Sequence, residues 1–238
     1  MADQNYIDNV ADTIANQVGV LQQEMVRDLL KLSKDRRFKS IDEFLLAIDQ
    51  LDLEQIVRLK AQNIVNGYVA AHTQILADMT LFGEVTETTL QALTNFSTSS
   101  FADSLGKMSG VIKTEIVKGA LGEATEQGIL QAIQQQAGLS NAQMRTLVTT
   151  GLNDYSASVG KIMIDESPKN EKFRYVGAID DRTRPLCIKI WEAGAMTKKE
   201  IKAKFGSEVL VERGGYNCRH QWFPVEASDE SKDVRKDA

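Results

Sequence analysis

Ser167-Pro168-Lys169-Asn170-Glu171-Lys172-Phe173-Arg174-Tyr175-Val176-Gly177-Ala178-Ile179 is where the chain changes texture. A residue before proline is pushed out of the α region and Asn favours turns, so Ser-Pro-Lys-Asn ends whatever helix precedes it. The following run from Phe173 to Ile179 is aromatic and β-branched, the composition of a strand. Upstream, apolar residues recur every three or four positions; downstream, short strand-like and helix-like segments mix. This boundary predicts a mainly α protein, with a multi-helix N-terminal body and a small C-terminal α+β unit.

Within the body, Ile7, Val10, Ile14, Val18, Leu21, Met25 and Leu29 form one helical stripe. The stripe fits either a core face or a helix–helix seam, including a seam between copies in a homo-oligomer. Ser40 with Glu43 reads as a capping box for a short helix through Ile48, and Asp52 opens a long helix to about Leu81, with Gly67 its weak point and Gly83 its stop. Thr86 reads as a cap before Leu90 and Leu93, and Phe101, Leu105, Met108, Ile112 and Ile116 mark a further helix that Gly119 and Gly122 interrupt. Ile129 and Ile133 carry a segment ending at Gly138. Ser140 and Gln143 then form a capping box for a helix through Leu152, Tyr155 and Val159 to near Asp165. Residues 1–138 are thus the expected helical body, 139–226 a second region, and 227–238 a charged tail expected to be mobile.

Composition narrows the class without naming a task. The chain of 238 residues is 42% hydrophobic and 26% charged, ordinary for a protein with a packed core. Only 6% aromatics and three prolines favour helices over a β-sandwich. A net charge of -5 and a pI near 5.2 make nucleic acid an unfavoured partner for the molecule as a whole. The region from Lys169 to Glu226 nevertheless holds twelve Lys and Arg against eight Asp and Glu. Two cysteines argue against a disulfide scaffold, no apolar run approaches the roughly 20 residues of a membrane span, and the first ten residues lack an export pattern, so a cytoplasm-like setting without a membrane partner is expected.

The second region is expected to contain a helix around Pro185 to Trp191, a capping box at Thr197 and Glu200 opening a basic helix, and a strand from Val209 to Glu212 closed by Gly214-Gly215. Its chemistry is concentrated in Asp180-Asp181-Arg182-Thr183-Arg184-Pro185-Leu186-Cys187 and Tyr216-Asn217-Cys218-Arg219-His220-Gln221-Trp222-Phe223-Pro224. Cys187, Cys218 and His220 offer two soft sulfurs and an imidazole, the donors that zinc prefers, with Asp180 or Asp181 as an oxygen ligand. The bland alternative makes both cysteines buried small hydrophobes and His220 a hydrogen-bonded histidine. Asp180 and Asp181 read as caps of the strand-to-helix turn, with Arg182, Arg184 and Arg219 pairing with them to join the two motif halves.

YVGAIDDRTRPLCIKIWEAG followed by GGYNCRHQWFPV resembles the C-terminal motif of Mu F-like phage head morphogenesis proteins. The matching positions are Asp180, Arg182, Thr183, Cys187, Asn217, Cys218, Arg219 and Pro224, and the helix from Ser140 is similar in placement, so the resemblance covers about Ser140 to Val225. Family members often carry a further cysteine where this chain has Arg184, and a histidine just before the Asn-Cys-Arg element where it has Gly215. The resemblance implies a minor head component of the virion, held at the portal vertex or head interior after assembly in the host cytoplasm. Its partners would be the portal, other head proteins and packaged DNA, with roles in head assembly, packaging or ejection. The motif then serves as a structural clasp of Asp180, Asp181, Arg182, Thr183, Arg184, Asn217 and Arg219, and no residue is expected to be catalytic.

The main rival is a metal-dependent nuclease or hydrolase built on Asp180, Cys187, Cys218 and His220. With His72 on a long helix, such a site rests on one histidine. There is no Gly-x-Ser-x-Gly elbow and no Walker or dinucleotide glycine pattern. Lys198, Lys199, Lys202 and Lys204 are candidate phosphate contacts or, equally, the wet face of a helix.

Overall fold

The computed structural model describes residues 4–33, 38, 40–79, 86–210, 212–215 and 218–225. Helices dominate: α1 Gln4–Ser33, α2 Ile41–Gln50, α3 Leu53–Lys60, α4 Gln62–Met79, α5 Glu87–Ala120, α6 Glu126–Gln136 and α7 Asn141–Glu166. After α7 come β1 Lys172–Val176, α8 Pro185–Glu192, β2 Met196–Thr197, α9 Lys198–Phe205, a 3-10 turn Glu208–Leu210 and β3 Gln221–Pro224. The chain is mainly α with a small α+β unit, as the boundary at Ser167 predicts. Two compact units form, one from Asn5–Ala71 and Asn95–Gly151, the other from His72–Thr94 and the described residues after Leu152.

In the first unit the α1 stripe turns inward: Ile7, Ile14, Val18, Leu21 and Met25 are buried, and Leu29 sits at the edge of burial. Each such aliphatic side chain contributes roughly 1.5–3 kcal/mol when removed from water. The α5 stripe of Phe101, Leu105, Met108, Ile112 and Ile116 is buried likewise. Polar ties accompany it: the buried Gln22 amide donates to the Leu139 carbonyl at 3.0 Å, and Lys113 pairs with Asp49 at 2.6 Å. Tyr68 stacks on Phe101 at 4.5 Å, and its hydroxyl meets Ser97 at 3.0 Å.

The caps read from sequence open their helices. Ser40 accepts from the Glu43 amide, Asp52 from the Gln55 amide, and Ser140 and Gln143 bond each other reciprocally. Three expectations need correction. The long helix from Asp52 is broken at Ala61, whose ψ of -3° ends α3, while Gly67 sits unbroken inside α4. Leu81 and Gly83 lie outside the described residues. The two segments expected between Thr86 and Ile116 are one continuous helix of 34 residues. Some of its serines and threonines turn their hydroxyls back onto the preceding turn, Ser104 to the Ser100 carbonyl at 3.0 Å and Thr114 to that of Gly110 at 3.2 Å, and add no break.

In the second unit the expected strand is real but shorter, and it forms the centre of an antiparallel sheet in the order β2-β1-β3. Phe173 lies opposite Met196 on one side and Pro224 on the other, and Tyr175 opposite Trp222. Phe173, Tyr175, Ile190, Met196, Ile201 and Trp222 build its core. Where a strand is expected from Val209 to Glu212, Glu208–Leu210 form the 3-10 turn, and Val211 lies outside the described residues. Val209 and Leu210 are consecutive and both buried, which the alternating pleat of a strand does not allow at a single-faced sheet. The Val209 carbonyl accepts from the Trp222 indole N–H at 3.1 Å instead of from a strand partner.

A methyl group at Gly151 would fall on the Tyr68 hydroxyl and 3.4 Å from its Cζ. Gly151→Ala should therefore lower stability by about 1–3 kcal/mol through overpacking, read as a lower urea midpoint. An unchanged midpoint would show that Tyr68 moves aside freely.

Candidate metal centre and motif clasp

β1 and β3 bring the two motif halves together, because the residues before β3 must pass over the turn that follows β1. Gly177 allows that crossing: a side chain there would begin 2.5 Å from the His220 ring. Beyond it, Asp180 organises its own loop. Its carboxylate accepts from the Arg182 amide at 3.1 Å and from the Thr183 hydroxyl at 3.1 Å, while the Asp180 amide donates to Thr183 Oγ1 at 2.8 Å. The carboxylate thus caps the turn and not α8, whose cap position is Arg184 with no side-chain cap bond and whose helix starts on Pro185.

Across the gap, Arg219 clasps Asp180 with two parallel bonds, Nη1 to Oδ2 at 2.8 Å and Nη2 to Oδ1 at 2.6 Å, over 39 positions of sequence. The bonds from Arg219 lead the causes, joined by those from Thr183 and the Arg182 amide, that hold the Asp180 carboxyl far below the usual carboxylate range. Arg182 approaches the same carboxylate only at 3.7 Å and is exposed. Arg184 Nη1 donates to the Gly214 carbonyl at 3.1 Å. Asp181 is exposed, and Asn217 lies outside the described residues.

Behind the clasp, Cys187 Sγ and Cys218 Sγ lie 3.5 Å apart, and Cys218 Sγ lies 3.8 Å from His220 Nδ1. All three side chains are buried, and their ligand atoms lie within 4.8 Å of one another. The Tyr175 hydroxyl completes the cluster, 3.0 Å from Cys218 Sγ and 3.8 Å from Cys187 Sγ, with its ring stacked on His220 at 5.1 Å. Gly214 lies against both sulfurs: a methyl there would fall on Cys187 Sγ and 3.2 Å from Cys218 Sγ. The next residue, Gly215, has φ +100°, and its carbonyl accepts from the Cys218 amide at 3.1 Å.

Burial opposes a Cys218 thiolate, but the hydrogen bonds to its sulfur from His220, Tyr175 and the His220 and Gly214 backbone outweigh burial and bring the thiol to about 6. Burial pushes the Cys187 thiol up and the Tyr175 phenol further up. Sulfurs and an imidazole nitrogen around a tetrahedral ion, bound at about 2.3 and 2.0 Å, stand roughly 3.5–3.8 Å apart; two of the three separations here, 3.5 and 3.8 Å, match that spacing, and the third lies within 4.8 Å. The group can hold a metal ion. Among the described residues His220 Nε2 has no hydrogen-bond partner, while Nδ1 faces Cys218 Sγ. The expected oxygen ligand is not part of the group: Asp180 is committed to Arg219, and neither it nor Asp181 is among the clustered donors.

One contributor was missed in the sequence. Arg213, at φ +55° and buried, donates to the His220 carbonyl at 3.4 Å and the Asn153 carbonyl at 3.1 Å. Burial lowers its pKa. A lone arginine beside a Gly-Gly pair gives no sequence signal of this. Of the candidate phosphate contacts, Lys198 is spent internally, donating to the Ile164 and Asp165 carbonyls at the end of α7 at 3.1 and 2.9 Å, whereas Lys199, Lys202 and Lys204 are exposed. Comparison of the chain with protein-family models, curated proteins and solved structures finds no match.

A depressed carboxyl contributes stability that is present above its unfolded pKa and lost as pH falls through its folded one. In Arg219→Met the Asp180 carboxyl should titrate much nearer the ordinary carboxylate range, followed by carbon-detected NMR. A titration as low as in the parent would mean that the loop bonds alone hold Asp180 ionised.

Proposed function

We propose that this chain is a structural component of a phage head, a minor virion protein that docks on the portal or neighbouring head proteins and is not an enzyme. The observation that carries this reading is the bidentate Asp180–Arg219 pair, which uses the two most motif-like residues to tie one half of the motif to the other. In a hydrolase those groups would face substrate. Here the carboxylate is saturated by its own loop and by Arg219, and the histidine and both cysteines are buried behind it. That favours holding over catalysis, and the resemblance to Mu F-like head morphogenesis proteins supplies the setting. Lys199, Lys202 and Lys204 on α9 are the proposed contacts with packaged DNA, since each phosphate contact adds affinity even on an acidic protein.

The same reading assigns zinc to Cys187, Cys218 and His220. Zinc fits two thiolates and an imidazole, and the burial of all three side chains favours a holding role for the ion. Bound there, the ion would supply cross-linking between α8 and the segment before β3, the same two halves that the ion pair joins. The protein's residues hold and orient: Tyr175 donates to the sulfurs, and Gly214 leaves them room.

Mass spectrometry of purified particles tests the head assignment. Low-copy recovery with the portal in both procapsids and filled heads is the expected result, and absence from every particle would overturn it. For the metal, elemental analysis of protein purified without chelator should return one zinc per chain, with loss in both Cys187→Ser and Cys218→Ser. Protein that is fully folded by circular dichroism yet carries no zinc as purified without chelator would refute the zinc assignment.

A further inference from the structure

We infer that Cys187 and Cys218 are a redox-active dithiol whose oxidised form is an intramolecular disulfide, mutually exclusive with a bound metal. The sulfurs are already in van der Waals contact at 3.5 Å, and they come from separate elements, α8 and the segment entering β3. A disulfide of about 2.05 Å requires them to close by roughly 1.5 Å, within the reach of small side-chain rotations. No other cysteine exists in the chain to compete.

The surroundings decide what oxidation yields. Gly214 sits so close that even a methyl group would strike Cys187 Sγ, and both thiols are at most 3% exposed. A bulky adduct on one sulfur therefore cannot be housed in the folded unit, whereas a bond between the two sulfurs needs no added volume. Taking a low-molecular-weight disulfide as oxidant, one cysteine thiolate attacks a sulfur of the reagent, whose S–S bond breaks and releases one small thiolate. The other cysteine thiolate then attacks the protein sulfur of this mixed disulfide, forms the Cys187–Cys218 bond and expels the second small thiolate. The protein loses two electrons, the reagent gains two, and the two thiol protons end on the two small thiols. The first attack requires the turn at Gly214 and Gly215 to open, so oxidation is slow and follows local opening.

The product ties together the residues that the Asp180–Arg219 pair already joins. Its setting rests on the head-protein reading: the chain would be assembled reduced in a cytoplasm and meet oxidant once particles leave it. The competition with metal rests on the zinc reading. The disulfide itself rests on neither.

The test uses full-length protein in native buffer, stripped with chelator and equilibrated with mixtures of oxidised and reduced glutathione. Samples are then quenched, unfolded, alkylated and weighed intact. The expected result is a species two hydrogens lighter with no alkylated cysteine, and reversal by reduced glutathione. Protein that keeps two alkylatable thiols at every ratio, that stops at a glutathione adduct, or that oxidises only in denaturant would overturn the inference. In Cys187→Ser the same treatment should stop at one adduct or none, with no lighter species. Preloading with zinc should slow oxidation by on the order of tenfold or more, because only the metal-free fraction reacts. Oxidation at an unchanged rate with zinc present would sink the zinc reading and leave the disulfide standing.

Discussion

The small α+β unit depends on how closely a backbone can approach two sulfurs. Cys187 and Cys218 meet in contact beneath the turn of Gly214 and Gly215, and the space between Gly214 and Cys187 Sγ holds no side-chain carbon. Close approach of this kind forces the rest. The turn must leave at φ +100° at Gly215, the chain must come back through Cys218, and β3 must then pair with β1 in the register that sets Trp222 against Tyr175. The Tyr175 ring, buried between the sulfurs and Trp222, converts this covering into a packed core with one polar atom, the phenol, satisfied by sulfur.

Charge is arranged around that core in two layers. Inside, the Arg213 guanidinium is held by main-chain carbonyls of His220 and Asn153, so it fastens β3's approach to α7 through main-chain acceptors, with Asp154 near enough to interact with its charge. Burying a charge this way is costly unless nearby groups carry compensating negative character, which Cys218 and Asp154 supply. Outside, Asp180 and Arg219 remain partly in water, where an ion pair adds little stability by itself. What the bidentate geometry adds is register: two parallel bonds on a carboxylate that its own loop has already oriented permit one alignment of the motif halves.

The sequence made the helices legible because their signals are local. Ser40, Asp52, Ser140 and Thr197 cap where an oxygen and a following amide must meet, and the stripes of α1 and α5 follow from the helical period. What stayed hidden was set by distant partners. β2 is two residues long and β3 contains a proline, and neither reads as a strand until β1 lies beside it. The pair Val209 and Leu210 looked like a strand because apolar runs do not distinguish a buried turn from a buried pleat. At the candidate site, the donor types of Cys187, Cys218 and His220 were legible, and so was Arg219 as a partner of Asp180. The exclusion of Asp180 from the cysteine cluster was not, since it depends on which way a carboxylate faces after a turn, and Arg213 was not, since its role lies in main-chain carbonyls that carry no residue identity.

Arg184 stands at a corner of the site where the pattern that the motif resembles often has a cysteine. Mu F-like proteins often have a cysteine there and a histidine where this chain has Gly215, which would place two further donors close to the sulfurs. In this chain Arg184 instead reaches the Gly214 carbonyl at 3.1 Å and holds down the turn that covers Cys187. A hydrogen bond thus does at that corner what an additional metal ligand would do. The donor that Gly215 cannot provide is matched from the other direction by His220, whose ring lies flat on Tyr175 with an interplanar angle of 7°. In this chain the Gly214 turn closes over buried sulfur, held there by a hydrogen bond from Arg184. A unit closed in that way holds its two thiols facing each other at 3.5 Å through hydrogen bonds and packing of its own residues.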